Sequence, residues 1–330
     1  MSDDSVGTTR GRAVIAGASG FVGRSLQDAF RDEGYEVVTI GRTGDAVWGN
    51  TLRVRELVDG AAIVVNMAGK SVNCRYGRRN RAEIIRSRVD TTLELGEAIR
   101  TSEHPPPLWL NASTATIYRH AADRPQDEAT GELGEGFSVG VARAWEDALF
   151  AADLPGTRRV ALRMAIVFGD GSALVPLLRL AQAGLGGPQY DGPWFPTRSR
   201  LAAGTYHHDR HTHGRQKFSW IHIADVVGAI RFIRDHEDLD GAVNLSSPNP
   251  SDNRTVMATI RDAVGRRFGL PTWRWMLELG SFAIRTETEL VLKSRWVVPT
   301  RLMQAGYEFR YPLLRGALAH IIAERRQHRG

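Results

Sequence analysis

The chain has a single cysteine, Cys74, among its 330 residues. One thiol excludes an intramolecular disulfide and a zinc site built from cysteines alone, and it suits a reducing interior, so a cytoplasmic protein is expected. No apolar run approaches the roughly 20 residues needed to span a bilayer, and no membrane partner is expected. The opening residues, with Asp3 and Asp4 ahead of Gly7-Thr8-Thr9, lack the basic-then-apolar pattern of an export signal, and residues 1–11 read as a short disordered lead. Internal repeats, low-complexity tracts and long lysine-rich runs are also missing. The formal net charge of +6 comes from scattered and locally clustered arginines, which suits small anionic molecules better than nucleic acid.

What remains is an ordinary globular composition, 42% hydrophobic and 24% charged, long enough for one large domain or two modest ones. The stretch from Arg12 to Arg42 organises it. An apolar run, Ala13-Val14-Ile15-Ala16, leads into Gly17-Ala18-Ser19-Gly20-Phe21-Val22-Gly23, then an amphipathic segment (Phe21, Val22, Leu26, Phe30) and a second strand, Tyr35 to Ile40. The glycines make G-x-x-G-x-x-G rather than the commoner G-x-G-x-x-G. A glycine turn between a buried strand and a helix gathers backbone N–H groups and the positive end of the helix dipole at one point, which suits a dinucleotide pyrophosphate. Gly17, Ser19, Gly20, Phe21, Val22 and Gly23 are therefore candidate cofactor-binding residues. An acidic residue closing the second strand would repel an adenosine 2′-phosphate, whereas Arg42 attracts one, so NADP(H) is expected over NAD. The alternative for Arg42 is a solvated surface arginine.

Further strands follow at Ala61 to Asn66, Leu108 to Ala112 and Val160 to Val167, separated by helical patterns from about Arg79 to Arg100 and from Phe137 to Ala152. Such alternation means an α/β fold with a doubly wound parallel sheet. Open sheets of this kind hold ligands at the C-terminal ends of their strands, which makes Met67, Ala68, Gly69 and Lys70 candidate cofactor contacts and delivers Ser113 to Tyr118 to the same edge. From Phe168 the rhythm is lost until Phe218. The expected division is a nucleotide-binding domain over 12–167, rejoined by 218–245, and a smaller mixed C-terminal substrate lobe over 168–217 and 246–330. A long loop, about 189–217, carries His207, His208, Asp209, His211 and His213. Their spacing fits no single zinc pattern, so a mobile lid is expected and no metal.

Several short matches, in order along nearly the whole chain, carry a family resemblance. They are Gly17 to Gly23; Asn66-Met67-Ala68-Gly69; Ser87-Arg88-Val89-Asp90-Thr91-Thr92; Ser113 to Tyr118; Trp145-Glu146; Arg163 with Gly169-Asp170-Gly171; Gly184 to Pro188; Ser219 to Ile223 with Asp225; and Pro299 with Gly306-Tyr307-Glu308-Phe309. With these the chain resembles the extended, or atypical, short-chain dehydrogenase/reductase superfamily, in the branch labelled epimerase-family proteins, which carries a distinctive C-terminal domain. The resemblance implies a Rossmann-type domain that binds NADP(H), a smaller lobe closing over a small-molecule substrate, and hydride chemistry at the nicotinamide. In the superfamily a Tyr-x-x-x-Lys pair moves the proton, the lysine ammonium lowering the tyrosine pKa. The corresponding positions here are Phe137 and Val141, and neither can move a proton.

Replacement chemistry is sought among nearby groups. Ser113 and Thr114 lie where the superfamily keeps its hydroxyl donor. Tyr118, on the same strand end, either exchanges the proton or packs the loop with its hydroxyl in water. Lys70 either holds a ribose hydroxyl or a substrate anion, or is merely solvated. Arg75 and Arg78, with Arg79 and Arg81, form a basic patch that can grip an anionic substrate or simply begin a helix, where basic charge is unfavourable. Arg88 either borders the cofactor or is a buried structural arginine. His222, beside Asp225 where strand meets helix, either contacts substrate or positions the backbone. Two functions remain open: an NADP(H)-dependent oxidoreductase or epimerase, acting as monomer or homodimer, and a cofactor-binding regulatory protein that has lost catalysis.

Overall fold

The computed structural model describes residues 10–171, 174–283 and 287–328, so all but the last two residues of the expected lead fall outside it. In chain order the strands are β1 (Arg12–Ala16), β2 (Glu36–Gly41), β3 (Ala46–Val47), β4 (Ala61–Asn66), β5 (Leu108–Thr114), β6 (Arg158–Met164), β7 (Ile166–Phe168), β8 (Lys217–Phe218), β9 (Trp220–His222), β10 (Gly241–Leu245) and β11 (Ser251–Asp252). The helices are α1 (Phe21–Asp32), α2 (Thr51–Val58), α3 (Arg78–Arg100), α4 (Phe137–Phe150), α5 (Leu174–Gln182), α6 (Arg198–Ala202), α7 (Ile223–Asp235), α8 (Asn253–Ala263), α9 (Arg274–Ala283), α10 (Glu289–Leu292), α11 (Thr300–Gln304) and α12 (Leu314–Gln327). One seven-stranded sheet has the order β3-β2-β1-β4-β5-β6-β10, every pairing parallel. This is the doubly wound fold expected from the alternation of elements.

Strand alternation decides the layers. Ala13 and Ile15 of β1, Ile63 and Val65 of β4, Leu108 and Leu110 of β5, and Val160 and Leu162 of β6 all face the side covered by α1 and α7. Their neighbours Val14, Ala16, Val64, Trp109 and Ala161 face α2, α3 and α4. Strands apolar on both faces are stable only between two layers of helices. The strand order reverses between β1 and β4, and at that reversal the C-terminal ends of both strands open into a crevice.

Two expectations need correction. The apolar run 160–167 is not one strand: it breaks at Ala165, and β7 leaves the sheet to pair with β9. For the same reason 218–222 does not rejoin the sheet, and only α7 and β10 return to it. These departures seed the second lobe, whose core gathers Phe168, Leu178, Phe218, Trp220, Met257, Ile260 and Leu318 from β7, β8, β9, α5, α8 and α12. Residues 189–217, expected to form a mobile lid, are bonded within themselves and to α8. The Asp191 carboxylate accepts from the backbone N–H groups of Arg210 and Thr212 (2.9 Å each) and from the Thr212 hydroxyl (2.7 Å). Gln189 and Gln216 bond each other and Asn253.

Asp225, in the first turn of α7, ties the lobe to the sheet. Its buried carboxylate accepts from the backbone of Arg310 (2.6 Å) and Tyr311 (3.0 Å) and from the Tyr307 hydroxyl (3.4 Å), which fixes the chain between α11 and α12. Removing it strands those donors. Asp225→Ala is expected to cost about 3 kcal/mol of stability in urea denaturation. A loss below about 1 kcal/mol would show that the segment holds without this anchor.

Candidate active-site cleft

The β1–α1 turn admits glycine alone at two places. Gly17 has φ +75°, and a Cβ there would stand 2.6 Å from the Ala68 nitrogen on the loop leaving β4. A Cβ on Gly23 would be pressed into the Gly17 carbonyl oxygen, so α1 can seat on the turn only with glycine there. Gly20 is the N-cap and gives α1 no side-chain cap, and no acidic residue lies in the first turn. The opening N–H groups and the positive helix end are therefore left without an anion. A Cβ added at Gly20 would meet just the Gly17 oxygen, at 3.3 Å, and otherwise enter open cleft. Ser19, in the turn, and Arg42, one residue past β2, are exposed and outside the cleft lining, and neither the Ser19 hydroxyl nor the Arg42 guanidinium has a partner among the described residues. This is a cradle with room and donors for a dinucleotide phosphate, as the chemistry of NADP(H) requires.

The opposite wall is held by a buried amide network. Asn66, at the end of β4, donates to Asn111 (2.7 Å) and Thr92 (3.1 Å) and accepts from the backbone of Ala68 (3.0 Å), while Trp145 donates to Thr92 (3.1 Å). Met67, Ala68 and Gly69 are thus set against the glycine turn. Gly69 leaves space for the Arg88 guanidinium, since a Cβ there would lie 3.1 Å from its central carbon. Arg88 donates to the carbonyls of Lys70 (3.0 Å) and Ile84 (3.1 Å) and stacks 4.9 Å from the centre of Trp145. Among the described residues it has no carboxylate partner, and loss of hydration lowers its pKa to about 10.

The cleft, about 360 Å³, is lined by Gly17, Gly20, Phe21, Val22, Gly23, Met67, Gly69, Arg88, Ser113 and Thr114, so most of the sequence candidates do meet. Phe137 and Val141 line it too, on the first turns of α4. Ser113 donates to Glu146 (2.5 Å), whose carboxylate is clasped by Arg163 at 2.9 and 2.7 Å. Burial alone would lower the Arg163 pKa, but Glu146 and Tyr118 together outweigh it and the pKa is raised. The Thr114 hydroxyl accepts from the backbone of Thr116, which leaves its own proton free to be donated.

Other candidates are turned away. Tyr118 is 1% exposed, and its hydroxyl donates to Asn244 and accepts from Arg163, both at 2.9 Å. It is neither in water nor in the cleft, and burial raises its pKa despite Arg163. The Lys70 ammonium is paired with Glu83 at 2.8 Å, leaving its backbone as the part near the cleft. Arg75 is half-buried beside Glu287 (3.6 Å), and Arg78 is exposed at the start of α3. His222 is buried, its Nδ1 capping α7 through the backbone of Ala224 (3.1 Å) and its ring packed on Tyr311. The loop histidines do not converge: His207 is buried near His120, His208 lies against Tyr206, and His211 pairs with Asp209. A wider hollow of about 700 Å³ lies at the other end of the sheet, but its Arg158 and Arg159 are engaged by the carbonyls of Ile233, Leu239, Leu149 and Ala152. Among the cleft residues that went unnoticed in the sequence is Tyr76, masked by the arginines around it.

Comparisons with known proteins agree with this geometry. A model of the NAD dependent epimerase/dehydratase family matches residues 13–246, and a domain of unknown function, DUF1731, matches residues 274–321. The epimerase family protein SDR39U1 of Mus musculus is 28% identical, the match taking in 94% of this chain and 100% of the mouse protein. The epimerase family protein YfhF of Bacillus subtilis is 27% identical across 95% of this chain and 98% of its own length. The crystal structure of human epimerase family protein SDR39U1 (isoform 2) with NADPH superposes with a TM-score of 0.80 at 25% identity, covering 94% of this chain and 99% of the human one.

The buried histidines give a pH prediction. Burial, then neighbouring cations or histidines, lowers the pKa of His120 and His222 to about 4 and of His207 to about 3. All are neutral in the folded chain at pH 7. Below pH of about 6.5 the unfolded chain takes up protons that the folded chain refuses, so stability is lost as pH falls from there toward 4. The thermal midpoint is expected to drop across that window, with a shallower slope in His207→Gln. A midpoint that is flat or rising on acidification would contradict the burial.

Proposed function

The chain belongs to the NAD dependent epimerase/dehydratase family, and from that premise we propose that it is an NADP(H)-dependent oxidoreductase or epimerase acting on a small carbonyl or hydroxyl compound, without the Tyr-x-x-x-Lys relay. The observation that carries the reading is the uncapped N-terminus of α1, facing open cleft across Gly20, with Arg42, exposed just past β2, lacking a partner among the described residues. The backbone N–H groups of Phe21, Val22 and Gly23 would hold the pyrophosphate, Arg42 the 2′-phosphate, and the Met67 to Gly69 backbone the nicotinamide side. The human relative solved with NADPH supports that choice of nucleotide.

When bound, the cofactor supplies or accepts a hydride. The chain's own part is to receive a substrate oxygen near Thr114, whose hydroxyl proton is free, and to keep Ser113 fixed by Glu146. Phe137, Val141, Met164, Ala165 and Val167 make an apolar wall that excludes water, which strengthens each polar contact within. A second reading, a regulatory protein that binds the nucleotide without turnover, is favoured by Phe137 and Val141 standing in that wall.

Fluorescence titration with NADPH, followed by a screen of carbonyl compounds for loss of nicotinamide absorbance, separates the two. Binding with turnover supports the enzyme, binding alone the regulator, and no binding removes both. Arg42→Asp is expected to weaken NADPH at least about tenfold while leaving NADH unchanged or improved, the size of one lost charge-assisted contact. Equal effects on both nucleotides would take Arg42 out of phosphate recognition.

A further inference from the structure

The cleft lacks the phenol that its family resemblance leads one to expect, yet a phenol is present on the facing wall. Tyr76 lines the cleft together with Ser113, Thr114, Phe137, Val141 and Arg88, and of the chain's seven tyrosines it alone does so. Its ring meets Phe137 edge-on, with centroids 5.1 Å apart, so it contacts the side chain that stands in place of the usual tyrosine. We propose that Tyr76 is the proton-transferring phenol of this cleft and that Arg88 is the cation that stabilises its ionised form, an assignment resting on the enzyme reading above.

The position of Tyr76 is fixed from outside its own loop. Its backbone N–H donates to Glu287 (2.8 Å), a carboxylate 4% exposed and contributed by the second lobe. Glu287 is in turn bracketed by Arg75 at 3.6 Å and Arg200 at 3.7 Å, and Arg200 is anchored to Glu278 at 3.0 Å. A buried ion-pair chain across two lobes is costly to desolvate, and here it determines where a phenol sits. Arg88 has the complementary property. It is a half-buried cation paired with carbonyls and an indole instead of an acid, and it lines the same cleft as Tyr76. A cation left without an anion beside a phenol favours the phenolate, which is the service a lysine gives in the usual pair.

The step balances. A carbonyl carbon that takes a hydride from the reduced nicotinamide, which is thereby oxidised, leaves its oxygen short of one proton. The O–H bond of Tyr76 breaks to supply it, an O–H bond forms on the product alcohol, and the phenolate is held by Arg88 until water reprotonates it.

The test uses the full-length protein with NADP+ bound and its tyrosines labelled with ¹³C at Cζ, Tyr76→Phe identifying the resonance. Tyr76 is expected to titrate below the pH of about 10 of a free tyrosine, apart from Tyr118 and Tyr307, whose pKa values burial raises. In Arg88→Met it should move up by about one pH unit, and Arg88→Lys should restore it. A Tyr76 resonance that titrates at or above about pH 10, or that ignores Arg88→Met, overturns the assignment; if that variant does not fold, the wild-type value decides. On any substrate found by the screen, Tyr76→Phe should lower kcat about 100-fold or more with NADPH affinity unchanged. Failure of the wild type to bind NADPH refutes the enzyme reading itself, whereas intact binding with an ordinary Tyr76 refutes this inference alone.

Discussion

The backbone-to-backbone crossing of Gly17 over Met67 and Ala68 is the contact on which the rest of the site depends. It joins the end of β1 to the end of β4 at a distance that no side chain tolerates. Because the strand order reverses there, the crossing holds the mouth of the crevice at a fixed width, and it aims the uncapped end of α1 across the opening. The buried Asn66, Asn111, Thr92 and Trp145 network keeps the far side of the crossing in place. Local glycine geometry thus becomes a binding surface through sheet topology.

Two arginines near the cleft illustrate how partners decide the role of a charge. Arg163 is neutralised in full by Glu146 and also satisfies Tyr118, so it braces β5 against β6 and leaves nothing for a ligand. Arg88 is similarly enclosed but has only carbonyls and a ring for company. A buried cation without a counter-ion is costly in a resting fold and valuable to one that receives an anion or generates one. The difference lies wholly in the presence of one carboxylate.

Much of this was legible in the sequence, because it is written in short spacings. The glycine turn, the two-faced strands and the order of helices and strands each need fewer than about ten residues of context. The breaks came where a partner lies far along the chain. The run 160–167 is apolar throughout, so no local signal marks the departure of β7 toward β9, more than fifty residues later. Tyr118 looked like a free phenol because Asn244, which accepts from it, is 126 residues away. Tyr76 stayed hidden since its anchor, Glu287, is 211 residues distant and its neighbours are conspicuous arginines. His222 and Asp225 were noticed, but their work is to cap α7 and to hold the 306–311 segment, which the sequence left open between structural and functional roles.

A crystal structure grown with NADP+ tests the central claim most directly. The account predicts the pyrophosphate against the backbone of Phe21 to Gly23, the 2′-phosphate against Arg42, and the nicotinamide within reach of Thr114 and Tyr76. A nucleotide seated elsewhere, or a turn that closes against it, would contradict it.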